Sequence, residues 1–376
     1  MAKRGNNEGS IYKRADGRWA AVINLGWQDG KRKRKTFYGV TRREVKDQLT
    51  TALSDHQKAL PVTSDRLTTG QFLENWLVES VKPTLRPRTL QSYAELVRVH
   101  LGPGLGRIPL AKLAPEDVQK LINRKLASGL SPRRVQYIHA VLRRALGQAE
   151  KWGNVARNVA KLVDAPRVVR TEIKPFTAEE SRAFIQAIQD ERLEALYILA
   201  IATGLRQAEL LGLSWSDINL EKRQVTVRNT LQVIDGEYQL AEPKSAKGRR
   251  TLVLPGIVVD PLLVHRGKQV ADKLRAGSRW HDSDLVFTSR YGTPINRHNL
   301  TRDFQALLKR VGLPRQRFHD LRHTAASLLL AQNVQPRDLM EILGHSQISL
   351  TMNTYGHVMP AALLDAANRM DAILSG

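Results

Sequence analysis

The spacing of apolar residues changes character along this chain of 376 residues and so divides it. Over residues 9–40, short strand-like runs are separated by turns, and the central one alternates. GSIYKR, WAAVINLG and KRKRKTFYGV each read as a short strand, with turns at Asp16-Gly17 and Asp29-Gly30. Asp-Gly between alternating segments is a strong hairpin signal. Residues 41–60 switch to helical spacing, with Val45, Leu49, Ala52 and Leu53 on one face. The pattern predicts a three-stranded sheet carrying one helix, a unit too small to be stable without neighbours or a ligand.

After a linker at 61–66, residues 67–165 show only helical periods. Four helices are predicted: QFLENWLVESV; TLQSYAELVRVHL, with Thr89 as its N-cap; PEDVQKLINRKLAS; and SPRRVQYIHAVLRRALGQAEKW. In the last, Val135, Ile138, Leu142 and Leu146 form an apolar stripe, while Arg133, Arg134, Arg143 and Arg144 lie mostly off it. A second linker spans about 164–175. Thr177 then opens TAEE, where Glu180 completes a capping box. The remainder reads as mostly helical, interrupted by a strand region at 223–254, and ends in an amphipathic helix, PAALLDAANRMDAIL. The expected fold class is therefore multidomain and mainly α with small β elements. Its expected parts are 1–60, a three-stranded sheet plus helix; 67–165, a helical bundle; and 175–376, a mixed, mostly helical domain.

Charge adds a partner to this picture. The chain carries 59 Lys/Arg against 36 Asp/Glu, a net +23. Residues 1–60 hold 14 basic and 6 acidic residues, and 66–170 hold 19 and 7. Residues 171–376 are closer to balance at 26 and 22. A surface charged merely for solubility would not concentrate the excess in one half; a polyanion grip would. Candidate DNA contacts are Arg18, Lys31, Arg32, Lys33, Arg34 and Lys35 in the sheet, and Arg88, Arg133, Arg134 and Arg143 in the bundle. The absence of cysteine excludes disulfides and thiol catalysis. The longest apolar run, 196–205, is too short to span a bilayer, and the N-terminus does not read as a signal peptide. A cytoplasmic protein is expected.

No phosphate-cradling GxxxxGK[ST] and no HExxH occur, so neither ATP nor a metal is indicated. What remains is a set of cations, histidines and one late tyrosine in four segments: ATGLRQAELLGL at 202–213, EPKSAKGRRTLVL at 242–254, RFHDLRHTAASLLL at 317–330 and LGHSQISLTMNTYGHV at 343–358. These resemble, in order and spacing, the signature boxes of the tyrosine recombinase (phage integrase) family. Residues 67–165 are similar to that family's core-binding, SAM-like domain. Residues 1–60 resemble the arm-binding domain of lambda-like and conjugative-transposon integrases.

The resemblance implies a site residue by residue. Arg206 matches the first phosphate-binding arginine, and Glu209 the acidic residue that buttresses it. Lys244 matches the mobile hairpin lysine, with Lys247 close by. His319 and Arg322 match the H-x-x-R pair, His345 the His-or-Trp position, and Tyr355 the nucleophile. It further implies site-specific recombination through a 3′-phosphotyrosine, with no cofactor and no metal. The implied partners are double-stranded DNA at core and arm attachment sites and a homo-tetramer on DNA. A DNA-bending host factor and an excisionase are helpers it leaves open. The implied setting is the nucleoid of a bacterial host, with no membrane partner.

Elementary chemistry agrees with that assignment. Two arginines can clamp both nonbridging oxygens of a phosphodiester as charge builds on them. Tyrosine, with a pKa of about 10, needs positive charge or a base nearby to attack. Two rivals share the chemistry or the charge: a type IB topoisomerase-like enzyme acting on one duplex, and a DNA-binding regulator whose catalytic body has decayed. A separate arm-reading domain argues against the first, and the filled catalytic positions argue against the second.

Overall fold

The computed structural model describes residues 9–28, 31–57, 67–169, 174–243, 245–344 and 370–374. The chain divides into two compact units, Met1–Arg170 and Thr171–Gly376, and the break falls within the linker expected at about 164–175.

The first unit opens with an antiparallel sheet of β1 (Ser10–Lys13), β2 (Trp19–Gln28) and β3 (Lys31–Gly39), in that order. Gly17 takes φ +82° to close the first hairpin, and its amide donates to the Arg14 carbonyl at 3.1 Å. Asp29 and Gly30 lie outside the described residues. Helix α1 (Arg42–Gln57) lays Val45, Leu49 and Ala52 onto Ala21 and Ile23, with Leu53, Ile11 and Phe37 at the margin. Because the strand period is two, register then fixes what faces away: Tyr12, Ala20 and Tyr38 pair across the three strands, and both tyrosines are exposed.

The same unit continues through α2 (Thr69–Trp76), α3 (Pro87–Leu96), α4 (Pro115–Ala127) and α5 (Pro132–Lys151). Thr89 is not a cap, contrary to the sequence reading. Helix α3 begins at Pro87 with Arg86 in the cap position, because proline's fixed φ suits a first turn. The Thr89 amide donates instead to the Arg86 carbonyl at 2.8 Å. Helices α2 and α3 each run on into a wider π turn, at Leu77–Val81 and Val97–Leu101, and each π turn lies just ahead of a proline, Pro83 or Pro103. A proline ring strikes the carbonyl four residues back, and the extra residue in the turn moves that carbonyl aside. The bundle core holds Phe72, Trp76, Leu96, Leu101, Leu142 and Leu146.

The second unit begins at α6 (Ala178–Ala187), which carries the expected capping box: the Glu180 amide donates to Thr177 Oγ1 at 3.1 Å, and the Thr177 amide donates to Glu180 Oε2 at 2.8 Å. Helix α7 (Glu194–Thr203) is apolar on nearly every face and runs through the core. Helix α8 (Gln207–Leu211) follows it. The strand region resolves into two separate sheets: β4 (Ile218–Asn219), β5 (Gln224–Val227) and β8 (Arg250–Val253) in one, and a hairpin of β6 (Thr230–Ile234) and β7 (Glu237–Ala241) in the other. Helices α9 (Gly256–Ala276), α10 (Arg297–Arg310), α11 (Asp320–Ala331) and α12 (Pro336–Leu343) follow. Phe184, Tyr197, Phe304 and Phe318 form a ring cluster with centroids 5.6–6.2 Å apart. Phe318 anchors the chain one residue ahead of His319. Of the expected terminal helix, residues 370–374 are helical and exposed, and the rest lies outside the described residues.

Candidate active site

The site is built where α7 ends. Gly204 caps α7 in the left-handed conformation, φ +64°, and a Cβ there would lie 2.7 Å from Leu343 Cδ2. Only glycine satisfies both the dihedral and the contact. The chain then turns so that Arg206 stands at the N-terminus of α8. Its amide donates to Glu209 Oε2 at 2.9 Å, its Nη1 to Glu209 Oε1 at 2.6 Å and its Nη2 to the Gly344 carbonyl at 3.2 Å.

Glu209 is buried and receives a second cation. Arg250, at the start of β8, donates Nη2 to Glu209 Oε2 at 3.1 Å and Nη1 to Oε1 at 3.4 Å. Burial alone would raise the Glu209 carboxyl. The charge and hydrogen bonds of Arg250, with those of Arg206, outweigh it and hold the group below the usual carboxylate range.

Arg322, in the first turn of α11, is only 3% exposed. Its Nη1 donates to the Gly204 carbonyl at 2.8 Å and its Nη2 to the Leu343 carbonyl at 2.6 Å. The two arginines thus engage adjacent carbonyls, Leu343 and Gly344, at the end of α12. His319 stands in the N-cap position of α11 without a side-chain capping bond, and one side of it is open to solvent. Desolvation by the surrounding protein, then the positive fields of His323, Arg322 and Arg206, pull its imidazole down to about 4. It is neutral at pH 7, able to accept or share a proton. His323 stands edge-on to it at 5.4 Å and is lowered by burial as well.

Arg206, Glu209, His319 and Arg322 therefore converge. Lys244, His345 and Tyr355 lie outside the described residues. The chain enters that last segment from a fixed point: Gly344 at φ +64°, where a Cβ would meet Arg250 Nη1 at 2.8 Å. Arg250 itself escaped the sequence reading, although a signal for it existed. Alternation along RRTLVL puts Arg250 on the same strand face as Leu252 and Leu254, and a cation on a buried face needs a partner.

The candidate DNA contacts fall into separate groups. Arg133, Arg134 and Arg143 line one groove of about 800 Å³ with Tyr137 and Lys161. Within it Arg134 is paired with Glu95 at 2.9 Å, and Arg133 reaches Gln136 at 3.4 Å. Arg88 is exposed near Gln91. In the sheet, Arg18 lies exposed beside the Asp16 turn, Arg34 is exposed on β3, and Lys35 folds over the Phe37 ring at 5.3 Å. Lys31, Arg32 and Lys33 continue the backbone of β3, and their side chains lie outside the described residues. Among the described residues, no cluster of three metal-ligating side chains occurs and no helix is long and apolar enough to cross a membrane.

Comparison with known proteins decides the family. The phage integrase family pattern matches residues 174–361, half the chain, and the N-terminal SAM-like domain of phage integrases matches 68–126. This chain belongs to the phage integrase family. A tyrosine recombinase XerC-like protein of Caldanaerobacter subterraneus subsp. tengcongensis is 31% identical over 99% of both chains. An integrase of Streptomyces ambofaciens is 31% identical over 99% of this chain and 98% of its own. Among solved structures, a Tn1549 transposon integrase in complex with transposon right end DNA aligns at TM-score 0.68 and 22% identity, over 82% of this chain and all of that one. A lambda integrase tetramer bound to a Holliday junction aligns at TM-score 0.56 and 18% identity, over 94% of this chain and 96% of that one. At those identities the solved structures establish the fold. As a family member, this phage integrase is a site-specific recombinase, an enzyme that transfers DNA strands. The relatives favour neither the topoisomerase-like nor the decayed-regulator reading.

Proposed function

We propose that this integrase cuts and rejoins DNA through Tyr355, with Arg206, Arg322, His319, Lys244 and His345 as the groups around the scissile phosphate. The observation that supports this most directly is the convergence of Arg206, Arg322 and a neutral His319 at the junction of α7, α11 and α12. The phenolate oxygen of Tyr355 attacks phosphorus, the bond to the 5′ oxygen breaks, and a 3′-phosphotyrosine forms. Arg206 and Arg322 neutralise the charge that builds on the nonbridging oxygens. His319, uncharged at working pH, takes or shares the phenol proton, with His345 as the second hydrogen-bonding imidazole. Lys244 protonates the departing 5′ oxygen. A 5′ hydroxyl from the partner strand then attacks the phosphotyrosine and restores the phenol, so bond energy is conserved and no nucleotide is spent.

In this reading the sheet domain at 1–60 holds arm sites and the bundle at 67–165 grips the core site, with the basic groove of α5 on the DNA. Four copies work on paired core sites through a four-way junction. Arm-site binding by the sheet domain sets direction, a DNA-bending host factor and an excisionase are candidate helpers, and the setting is the bacterial nucleoid.

The test compares wild type with Tyr355→Phe on a nicked suicide duplex spanning the junction of the excised element. Loss of one hydroxyl changes stability by about 1 kcal/mol and leaves DNA binding in place. The wild type is expected to accumulate a covalent protein–DNA adduct and the variant none. An adduct that persists in the Phe variant removes Tyr355 from the role.

A further inference from the structure

We infer that Arg250 is a positioning residue of the strand-transfer site, one that keeps Arg206 available to the scissile phosphate. This rests on the catalytic reading given above for Arg206. Glu209 is a buried anion, 2% exposed, lying against Arg206, which is 38% exposed, and Arg250, which is 8% exposed. With Arg206 alone, Glu209 would form a closed, neutral pair, and the arginine's charge would be spent inside the protein. With Arg250 added, the group of three carries a net positive charge. Its buried cation satisfies the carboxylate from behind, and its half-open cation faces out.

The geometry of Arg250 is specific to a guanidinium. All three of its nitrogens donate: Nε to the Ile342 carbonyl at 2.7 Å, Nη1 to the Gly248 carbonyl at 3.1 Å and to Glu209 Oε1, and Nη2 to Glu209 Oε2. One side chain thereby joins three segments distant in sequence. Gly248 lies four residues beyond Lys244, Glu209 one turn beyond Arg206, and Ile342 three residues ahead of His345. The backbone at Gly344 packs on the same guanidinium at a distance that no Cβ would tolerate. A lysine in this place offers a point charge that can pair with Glu209 but not hold the three segments in register.

The experiment uses full-length Arg250→Lys, Arg250→Met and the double variant Arg250→Met/Glu209→Gln, with the same suicide duplex and with binding measured separately. Arg250→Met is expected to bind the duplex within about threefold of wild type and to form adduct about 100-fold more slowly. Removing the carboxylate that then closes on Arg206, in the double variant, is expected to restore about tenfold of that loss by releasing Arg206. Arg250→Lys, which keeps the charge, is expected to lose about tenfold in adduct rate at unchanged affinity. The inference is overturned if either single variant forms adduct at the wild-type rate. It is equally overturned if the double variant is no faster than Arg250→Met, which would make Arg250 a scaffold residue only. Should Arg250→Met fail to fold, the Lys variant alone decides. A wild type that forms no adduct would instead count against Tyr355 and the catalytic reading itself.

Discussion

The guanidinium of Arg322 closes on the carbonyl of Gly204 at 2.8 Å, and a Cβ on Gly204 would rest in ordinary contact with Arg322 Cγ at 3.6 Å. A turn that ends one helix is thus the wall against which a cation from another helix is set. Gly204→Ala should cost about 1–3 kcal/mol, since it combines a left-handed φ with a 2.7 Å contact to Leu343. Thermal or urea unfolding of the variant measures this. Because Arg206 lies two residues on, adduct formation should fall further than the stability loss explains. A Gly204→Ala protein as stable and as active as wild type would show that the turn does not set the site.

Arg322 offers a second expectation. Its replacement by Met leaves the carbonyls of Gly204 and Leu343 without their buried donor and takes one cation from the phosphate. Adduct formation should fall about 100- to 1000-fold, and stability should fall by about 1–3 kcal/mol for the unsatisfied carbonyls. Single-turnover cleavage and urea unfolding separate the two effects, and a loss in stability alone would make Arg322 purely structural.

The capping box at Thr177 gives a milder change. Thr177→Ala removes the acceptor for the Glu180 amide at 3.1 Å and should destabilise by about 1 kcal/mol, with adduct rate unchanged. An unfolding midpoint identical to wild type would count against the cap.

These sites differ in how openly the sequence announces them. The capping box was legible because both of its members are local, three residues apart. The strand-like runs of 9–40 and their Asp-Gly turns made the first sheet legible for the same reason, and the Val45–Leu49–Ala52 stripe did so for the helix above it. Arg206, His319 and Arg322 were legible only through the resemblance, since each alone is an ordinary surface type. Arg250 was missed because its partners, Glu209 and Ile342, are 41 and 92 residues away. No local pattern names a partner at that range. The Thr89 cap failed because a good capping residue competed with Pro87, whose ring had already started the helix two residues earlier.

Acid pH should weaken the fold in a defined window. The folded imidazole of His319 titrates at about 4, below its ordinary 6.5, because partial desolvation by the surrounding protein and neighbouring cations oppose its charge. Between those values the unfolded chain binds a proton that the folded chain refuses, so stability falls as pH drops from 6.5 towards 4. His323 and His265, both lowered by burial, act in the same direction. Glu209 and Asp320, held low against burial by their arginines, add their own loss below the ordinary carboxylate range. Unfolding free energies at pH 7, 6 and 5 should show this slope in wild type and a shallower one in His319→Gln; equal slopes would remove His319 from the account.

Salt dependence tests the groove of α5. Arg133 and Arg143 share it with Tyr137 and Lys161, and both guanidiniums belong to exposed residues. Each phosphate contact that releases a counterion contributes about 0.9 to the slope of log affinity against log salt. If both arginines lie on phosphates, Arg133→Ala/Arg143→Ala should flatten the slope by about 2 and weaken binding most at low salt. The suicide duplex and an unrelated duplex should be affected alike, because phosphate contacts carry no sequence information. Filter binding or fluorescence anisotropy at four salt concentrations reads the slope directly. A double variant with the wild-type slope would place the DNA on another face of the bundle, while a loss confined to the suicide duplex would make these arginines readers of bases instead.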